Sequence, residues 1–162
     1  MIAREYPNGV DCVWVASDCN GNVGAFVTGG LGPIPLMALN CEFVPVVDIE
    51  EIVCKLPKIS DSHLLVSIKR PDDFIAMAER GFFVYDWRDI HRTTLESTHA
   101  YEPIAVPVSP ILVDALSEPL HLCANNLRFR SVAFVDGQPL DVCVFVECIN
   151  EKNGQKTGSD TK

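Results

Sequence analysis

The chain predicts an α+β fold: a mainly antiparallel sheet of about six strands with two short helices packed on it. Three observations carry that expectation. The apolar segments Cys12–Ser17 and Val23–Thr28 flank a turn containing Asn20-Gly21, a strong hairpin signal. The stretches VVDIEEIVCKLP and PDDFIAMAERGF hold apolar residues at helical spacing between start and stop residues. Prolines and turn dipeptides cut the second half into short pieces, against the long alternating units of a doubly wound sheet.

The elements follow in order. After the hairpin comes Gly29-Gly30-Leu31-Gly32-Pro33-Ile34-Pro35, where glycine permits positive φ and close backbone approach while proline fixes φ. This loop is therefore shaped. Residues 36–45 are apolar and fit a short helix or a strand equally. Next, Asp48 reads as an N-cap, Glu51 completes a capping-box pair, and Val47 and Ile52 stand where a hydrophobic staple would. Ile49, Ile52, Val53 and Leu56 make the apolar face and Pro57 ends the helix.

Leu64–Ile68 reads as a strand. Pro71, Asp72 and Asp73 then suit the first turn of a second helix, Phe74, Met77 and Ala78 share its face, and Arg80-Gly81 stops it. Phe82–Tyr85 follows as a strand. Pro103–Val108 is another, the prolines at its margins suggesting an edge or a short strand. Residues 109–126 hold short helical turns. Ser131–Val135 and Val142–Glu147 flank Asp136-Gly137 as a C-terminal hairpin. Residues 1–149 thus read as a single α+β domain and the polar residues 150–162 as a disordered tail.

Charge narrows the function classes. Lys and Arg number 13 against 22 Asp and Glu, a net charge of −9, and residues 1–149 alone hold 10 basic against 20 acidic side chains. Such a body repels nucleic-acid phosphates and anionic membranes and favours basic partners. No apolar run approaches the roughly 20 residues that span a bilayer, and MIAREYPNGVD lacks a secretory pattern. The seven cysteines include no Cys-x-x-Cys, and most lie in apolar segments, as free buried thiols do in a reducing compartment. The expectation is a cytoplasmic protein.

The best local constellation for function is Tyr85-Asp86-Trp87-Arg88-Asp89-Ile90-His91-Arg92. Asp86, Asp89 and His91 are metal-ligand types, although a strand end followed by a capped turn explains the same residues. Trp and Arg anchor interfaces, so Tyr85, Asp86, Trp87, Arg88 and Asp89 read as a partner-binding segment. Cysteine catalysis would pair a thiol with His63, His91, His99 or His121, but no nucleophile signature surrounds any cysteine. The Gly29–Pro35 loop lacks the lysine and spacing of a phosphate loop.

One further pattern, Trp14-x-Ala16-x-Asp18-x-x-Gly21-x-Val23-x-x-Phe26-x-Thr28-x-Gly30-x-Gly32-Pro33-x-Pro35, resembles the opening of a set of small bacterial proteins. Gly81-Phe82-Phe83-x-Tyr85-Asp86 is similar to their central segment, and Tyr101 to Pro107 to the stretch after it. Some of these look like immunity proteins of contact-dependent or polymorphic toxin systems. The resemblance implies a non-enzymatic protein without cofactor or metal that binds and neutralises a cognate toxin domain. A basic nuclease is the toxin that an acidic inhibitor suits. The alternatives are a small cytosolic enzyme with Cys/His or Asp/His chemistry, or a self-associating binding module.

Overall fold

A computed structural model describes residues 4–87, 100–149 and 156–157. Its centre is the expected hairpin, β1 (Val13–Asp18) and β2 (Val23–Val27), paired antiparallel from Val13↔Val27 to Ser17↔Val23. Every residue of both strands is buried, which explains their unbroken apolar runs: each has a covered face on both sides. The turn is longer than a two-residue hairpin loop. Gly21 stands at φ +83°, and the Asp18 carboxylate accepts the Asn20 and Asn22 N–H groups on Oδ1, both at 2.9 Å.

The remaining strands are β3 (Ile34–Pro35), β4 (Ser62–Leu64), β5 (Phe83–Trp87), β6 (Tyr101–Pro107), β7 (Arg128–Phe129), β8 (Cys148–Ile149) and β9 (Lys156–Thr157). Six of the nine described strands form one sheet in the order β4-β6-β5-β2-β1-β7, and β3-β8-β9 form a second. The α+β class holds, but the main sheet is mixed rather than mainly antiparallel, because β2/β5 and β1/β7 pair parallel. Local turn signals reveal hairpins only. The orientation of β5 is set by the long helical excursion after β2, and parallel neighbours require such crossovers.

That excursion carries α1 (Leu36–Leu39), α2 (Val46–Cys54) and α3 (Asp72–Glu79), and α4 (Leu120–Asn126) follows later. Two of the four helices are thus the expected pair. Helix α2 starts earlier than Asp48: Pro45 is the N-cap residue, no side chain caps the helix, and Asp48 sits in the first turn beside the positive helix end. Helix α3 lies where expected, with Pro71 as its N-cap residue and Arg80 as its C-cap residue. The Arg80 guanidinium donates to the carbonyls of Cys54, Leu56 and Ala76, so one side chain satisfies the C-terminal regions of both helices.

Strand β6 is interior, between β4 and β5, and not an edge. Its proline is accommodated by a bulge: Val84 pairs with Ala105 but Tyr85 with Pro103, leaving Ile104 extra. On the other side β4 ends at Leu64↔Ala105, short of Pro103. The expected hairpin around Asp136-Gly137 is absent as well. Phe134–Asp136 and Val142–Val144 are 3₁₀ turns, although Gly137 does turn the chain at φ +67°. The Phe134 N–H goes to Asp18 Oδ2 at 2.7 Å instead of a strand partner.

The sheet has two differently built faces. On one, Val13, Val15, Val23, Ala25, Val84 and Ile104 meet helices α2, α3 and α4. On the other, Trp14, Phe26, Tyr85 and Tyr101 meet Phe129, Phe134 and Val142 of the C-terminal segment. Register pairs Trp14↔Phe26↔Tyr85 across three strands, and the rings stack at 4.1 Å and 4.7 Å between centroids. Trp14 Nε1 donates to the Tyr101 hydroxyl (3.2 Å), which donates to the Pro33 carbonyl (2.8 Å), while the Tyr6 hydroxyl donates to the Gly32 carbonyl (2.6 Å). The Gly/Pro loop is thereby tied to the aromatic face. Among the described residues, no helix is long and apolar enough to cross a membrane.

Asp18 is fully buried and accepts three backbone N–H groups, which a carboxamide cannot match because its nitrogen is a donor. Asp18→Asn should cost about 1–3 kcal/mol in denaturant unfolding, against no measurable change for Asp114→Asn on the exposed surface. Equal midpoints would show that the carboxylate does not hold the turn.

Candidate functional site

One end of the main sheet gathers acidic side chains and a half-buried tryptophan. There β1 begins, β2 and β5 end, and β6 begins, in the register Val13↔Val27↔Asp86↔Glu102 with Trp87↔Tyr101 alongside. The Gly29–Pro35 loop wraps this end. Thr28 Oγ1 accepts the N–H groups of Cys12 (3.2 Å) and Gly30 (3.1 Å), and the Thr28 carbonyl accepts those of Leu31 and Gly32. A Cβ on Gly32 would lie 2.6 Å from the Tyr101 hydroxyl and 3.0 Å from Trp87 Cβ, so only glycine lets the loop approach so closely.

Carboxylates from three elements converge beside the loop. Asp11, before β1, accepts the Gly29 N–H on Oδ1 at 2.8 Å. Partial burial pushes its carboxyl pKa up, and Asp73 adds to the shift. Glu50 of α2 is raised by burial, then by the charges of Asp73 and Asp11 and a hydrogen bond with Asp73 of α3. The field reaches two thiols. Cys54 is raised by burial and then by Glu50, and Cys12 by burial, with Asp11 and Glu50 contributing. Arg80 stands close enough to lower Cys54, but each of its three nitrogens is tied to a carbonyl. Among the described residues, Asp11, Glu50 and Asp73 make no ion pair; Glu51, by contrast, pairs with Lys55 at 3.3 Å.

The sequence-predicted segment divides at this place. Alternation along β5 sends Tyr85 and Trp87 to the aromatic face and Asp86 to the helical face, since successive strand residues point opposite ways. Tyr85 is 2 % exposed and stacked on Phe26, so its ring contributes packing; burial, then Asp18 and Asp136, pushes its phenol pKa upward. Asp86 and Trp87 are half-buried at the strand end, Trp87 edge-on to Tyr101 at 5.2 Å. Arg88, Asp89, His91 and His99 lie outside the described residues, as does most of the 150–162 tail.

Sequence reading did not bring Glu50 and Asp73 together. A signal was present. Val46, Ile49 and Val53 are the buried residues of α2, and Glu50 completes their i, i+3, i+4, i+7 spacing. It occupies a slot where an apolar residue belongs.

The catalytic readings find less to build on. Burial raises the thiol pKa of Cys12, Cys54 and Cys123, the opposite of an activated nucleophile. His121 lies 2.9 Å through Nδ1 from the Val113 carbonyl, and His63 is exposed on β4. Among the described residues, no group of three or more His, Cys, Asp or Glu side chains could hold a metal ion. Comparison of the chain with protein-family models, curated proteins and solved structures finds no match.

The carboxyls of Asp11 and Glu50 have folded-state pKa values above their ordinary ones. Their contribution therefore favours the fold below the ordinary carboxylate range and is lost as pH rises through the raised values. Glu50→Gln, whose amide can still donate to Asp73, should raise the thermal midpoint at pH 7. That gain should vanish below about pH 4, where the native side chain is protonated. A gain that persisted in acid would mean the side chain's shape, and not its charge, was responsible.

Proposed function

We propose that this chain is a non-enzymatic, immunity-type inhibitor whose acidic sheet end binds and neutralises a basic toxin domain, a nuclease being the favoured class. The observation that supports it most is the meeting of Asp11, Glu50 and Asp73 without an ion pair among the described residues. Mutual repulsion there works against the isolated fold, and a cationic partner surface relieves it. Positions that cost stability in the free protein are where binding function is expected. The net charge of −9 adds long-range attraction, which raises encounter rates with basic proteins by roughly 10–10³ at low salt.

Roles differ within the surface. Asp11, Glu50, Asp73 and Asp86 supply charge, and Trp87, half-buried against Tyr101, supplies an aromatic anchor. Arg88 and Asp89 continue the same strand end in sequence. Tyr85 holds the strand from below through its stack on Phe26.

The test begins with capture of a partner by the tagged chain from lysate of its own cell, washed at low and moderate salt. A stoichiometric basic protein should be retained and weakened by salt. With that partner purified, Asp11→Asn/Glu50→Gln/Asp73→Asn should slow association by at least roughly tenfold and flatten its salt dependence, while leaving dissociation nearly unchanged. Trp87→Ala should instead speed dissociation. Because the triple variant removes repulsion, its fold should be no weaker than the native one, so lost binding would not reflect unfolding. An acidic partner, or association indifferent to both salt and the triple variant, would sink the proposal.

A further inference from the structure

Away from the acidic end, the connection between α1 and α2 and one side of α4 enclose a cleft of about 410 Å³. Its walls include Met37, Phe43 and Leu127, with the amides of Asn40 and Asn126 among them. Cys41 and Cys123 both line it, and their sulfurs stand 3.5 Å apart as free thiols, brought together across 82 residues of sequence. Both are part-exposed, and Met37 and Phe43 beside them are 56 % and 49 % exposed, so a small molecule reaches the pair from solvent.

We infer that Cys41 and Cys123 form a thiol–disulfide exchange site whose substrates are low-molecular-weight disulfides, of which oxidised glutathione is the representative. The reaction takes two displacements. The Cys41 thiolate attacks one sulfur of the small disulfide, a protein–glutathione bond forms, and one glutathione thiolate leaves. Cys123 then gives its proton to solvent and attacks Cys41 Sγ, forming the protein disulfide and expelling the second glutathione, which takes up a proton. The protein dithiol loses two electrons and two protons, and the small disulfide becomes two thiols.

Geometry assigns the order. The Phe43 N–H donates to Cys41 Sγ at 3.4 Å, so a backbone donor points at the sulfur assigned the first attack. Cys123 is pushed up to about 12, by burial first and then by the hydrogen bond with Cys41 and its charge, so it remains protonated beside a Cys41 thiolate. Once Cys41 is in a mixed disulfide, it no longer raises Cys123 as a thiolate, and the second attack is released. The sulfurs need close by only about 1.5 Å to reach bonding distance. The other neighbouring thiols, Cys143 and Cys148, differ in access: Cys148 is fully buried on β8, which pairs with β3. The product is a covalent tie between the α1–α2 connection and α4. This chemistry is independent of the proposed partner.

The test incubates the reduced full chain with oxidised glutathione, quenches with an alkylating agent and maps peptides by mass spectrometry. The native chain should lose two hydrogens, yield a Cys41–Cys123 linked peptide, and revert with dithiothreitol. Cys123→Ser should stop at one glutathione on Cys41. Cys41→Ser should give no linked peptide and should label Cys123 more slowly than Cys123→Ser labels Cys41, because burial, the largest cause of the raised Cys123 thiol, remains. The native-chain map needs no variant, so a misfolded serine variant would not leave the matter open. The inference fails if Cys41 and Cys123 are recovered as free thiols while exposed Cys19 is modified, or if the bond forms between another pair. Equal labelling of Cys123 in Cys41→Ser would overturn the assigned order.

Discussion

The structure hangs on one stack of rings. Trp14, Phe26 and Tyr85 occupy facing register positions on three adjacent strands, so a single slab of aromatic surface crosses an antiparallel and a parallel pairing.

 Each stacked or edge-on aromatic contact adds about 0.5–1.5 kcal/mol beyond the area it buries. Phe26 alone meets Trp14, Tyr85, Tyr101, Phe129 and Phe134. The slab fixes more than stability. Because Trp14 carries an N–H and Tyr101 a hydroxyl, the apolar layer ends in a hydrogen-bonded relay to the Pro33 carbonyl, and that relay positions the Gly/Pro loop over the sheet end.

A second constraint links the two ends of the chain. The Asp18 carboxylate closes the β1–β2 turn through Oδ1 and holds Phe134 through Oδ2, 116 residues later. Phe134 then packs edge-on against Phe26 and Tyr85. One buried carboxylate therefore connects turn geometry to the covering of the aromatic face, and the stretch from Phe134 to Val142 covers the sheet instead of adding strands to it.

Legibility in the sequence follows from the range of the interaction. The β1–β2 hairpin and helix α3 were readable because turn residues and helix ends act within a few positions. The parallel β2/β5 pairing was not, since it depends on how a long excursion with three helices returns. Pro103 misled for a related reason: a proline argues for an edge only if no bulge absorbs it, and the bulge at Ile104 is a property of the pair β5/β6. Ser131–Val135 looked like a strand because its apolar residues are real, but they meet an aromatic layer through a 3₁₀ turn. At the candidate site, the segment 85–87 was legible as a strand end. Its division between two faces follows from alternation alone.

The acidic end shows how these constraints bear on function. The loop that Tyr101 and Tyr6 pin down presents the Gly29 N–H to Asp11, so the same interactions that order the aromatic face hold a carboxylate beside Glu50 and Asp73. Arg80 is near enough to be felt at Cys54, yet it is held by three carbonyls that end two helices. Satisfying backbone groups takes the one nearby guanidinium that these contacts identify and leaves the carboxylates facing one another. The helices are tightly finished and the charge is not. Under the proposed function, cations brought by a basic partner would complete this arrangement electrostatically from outside.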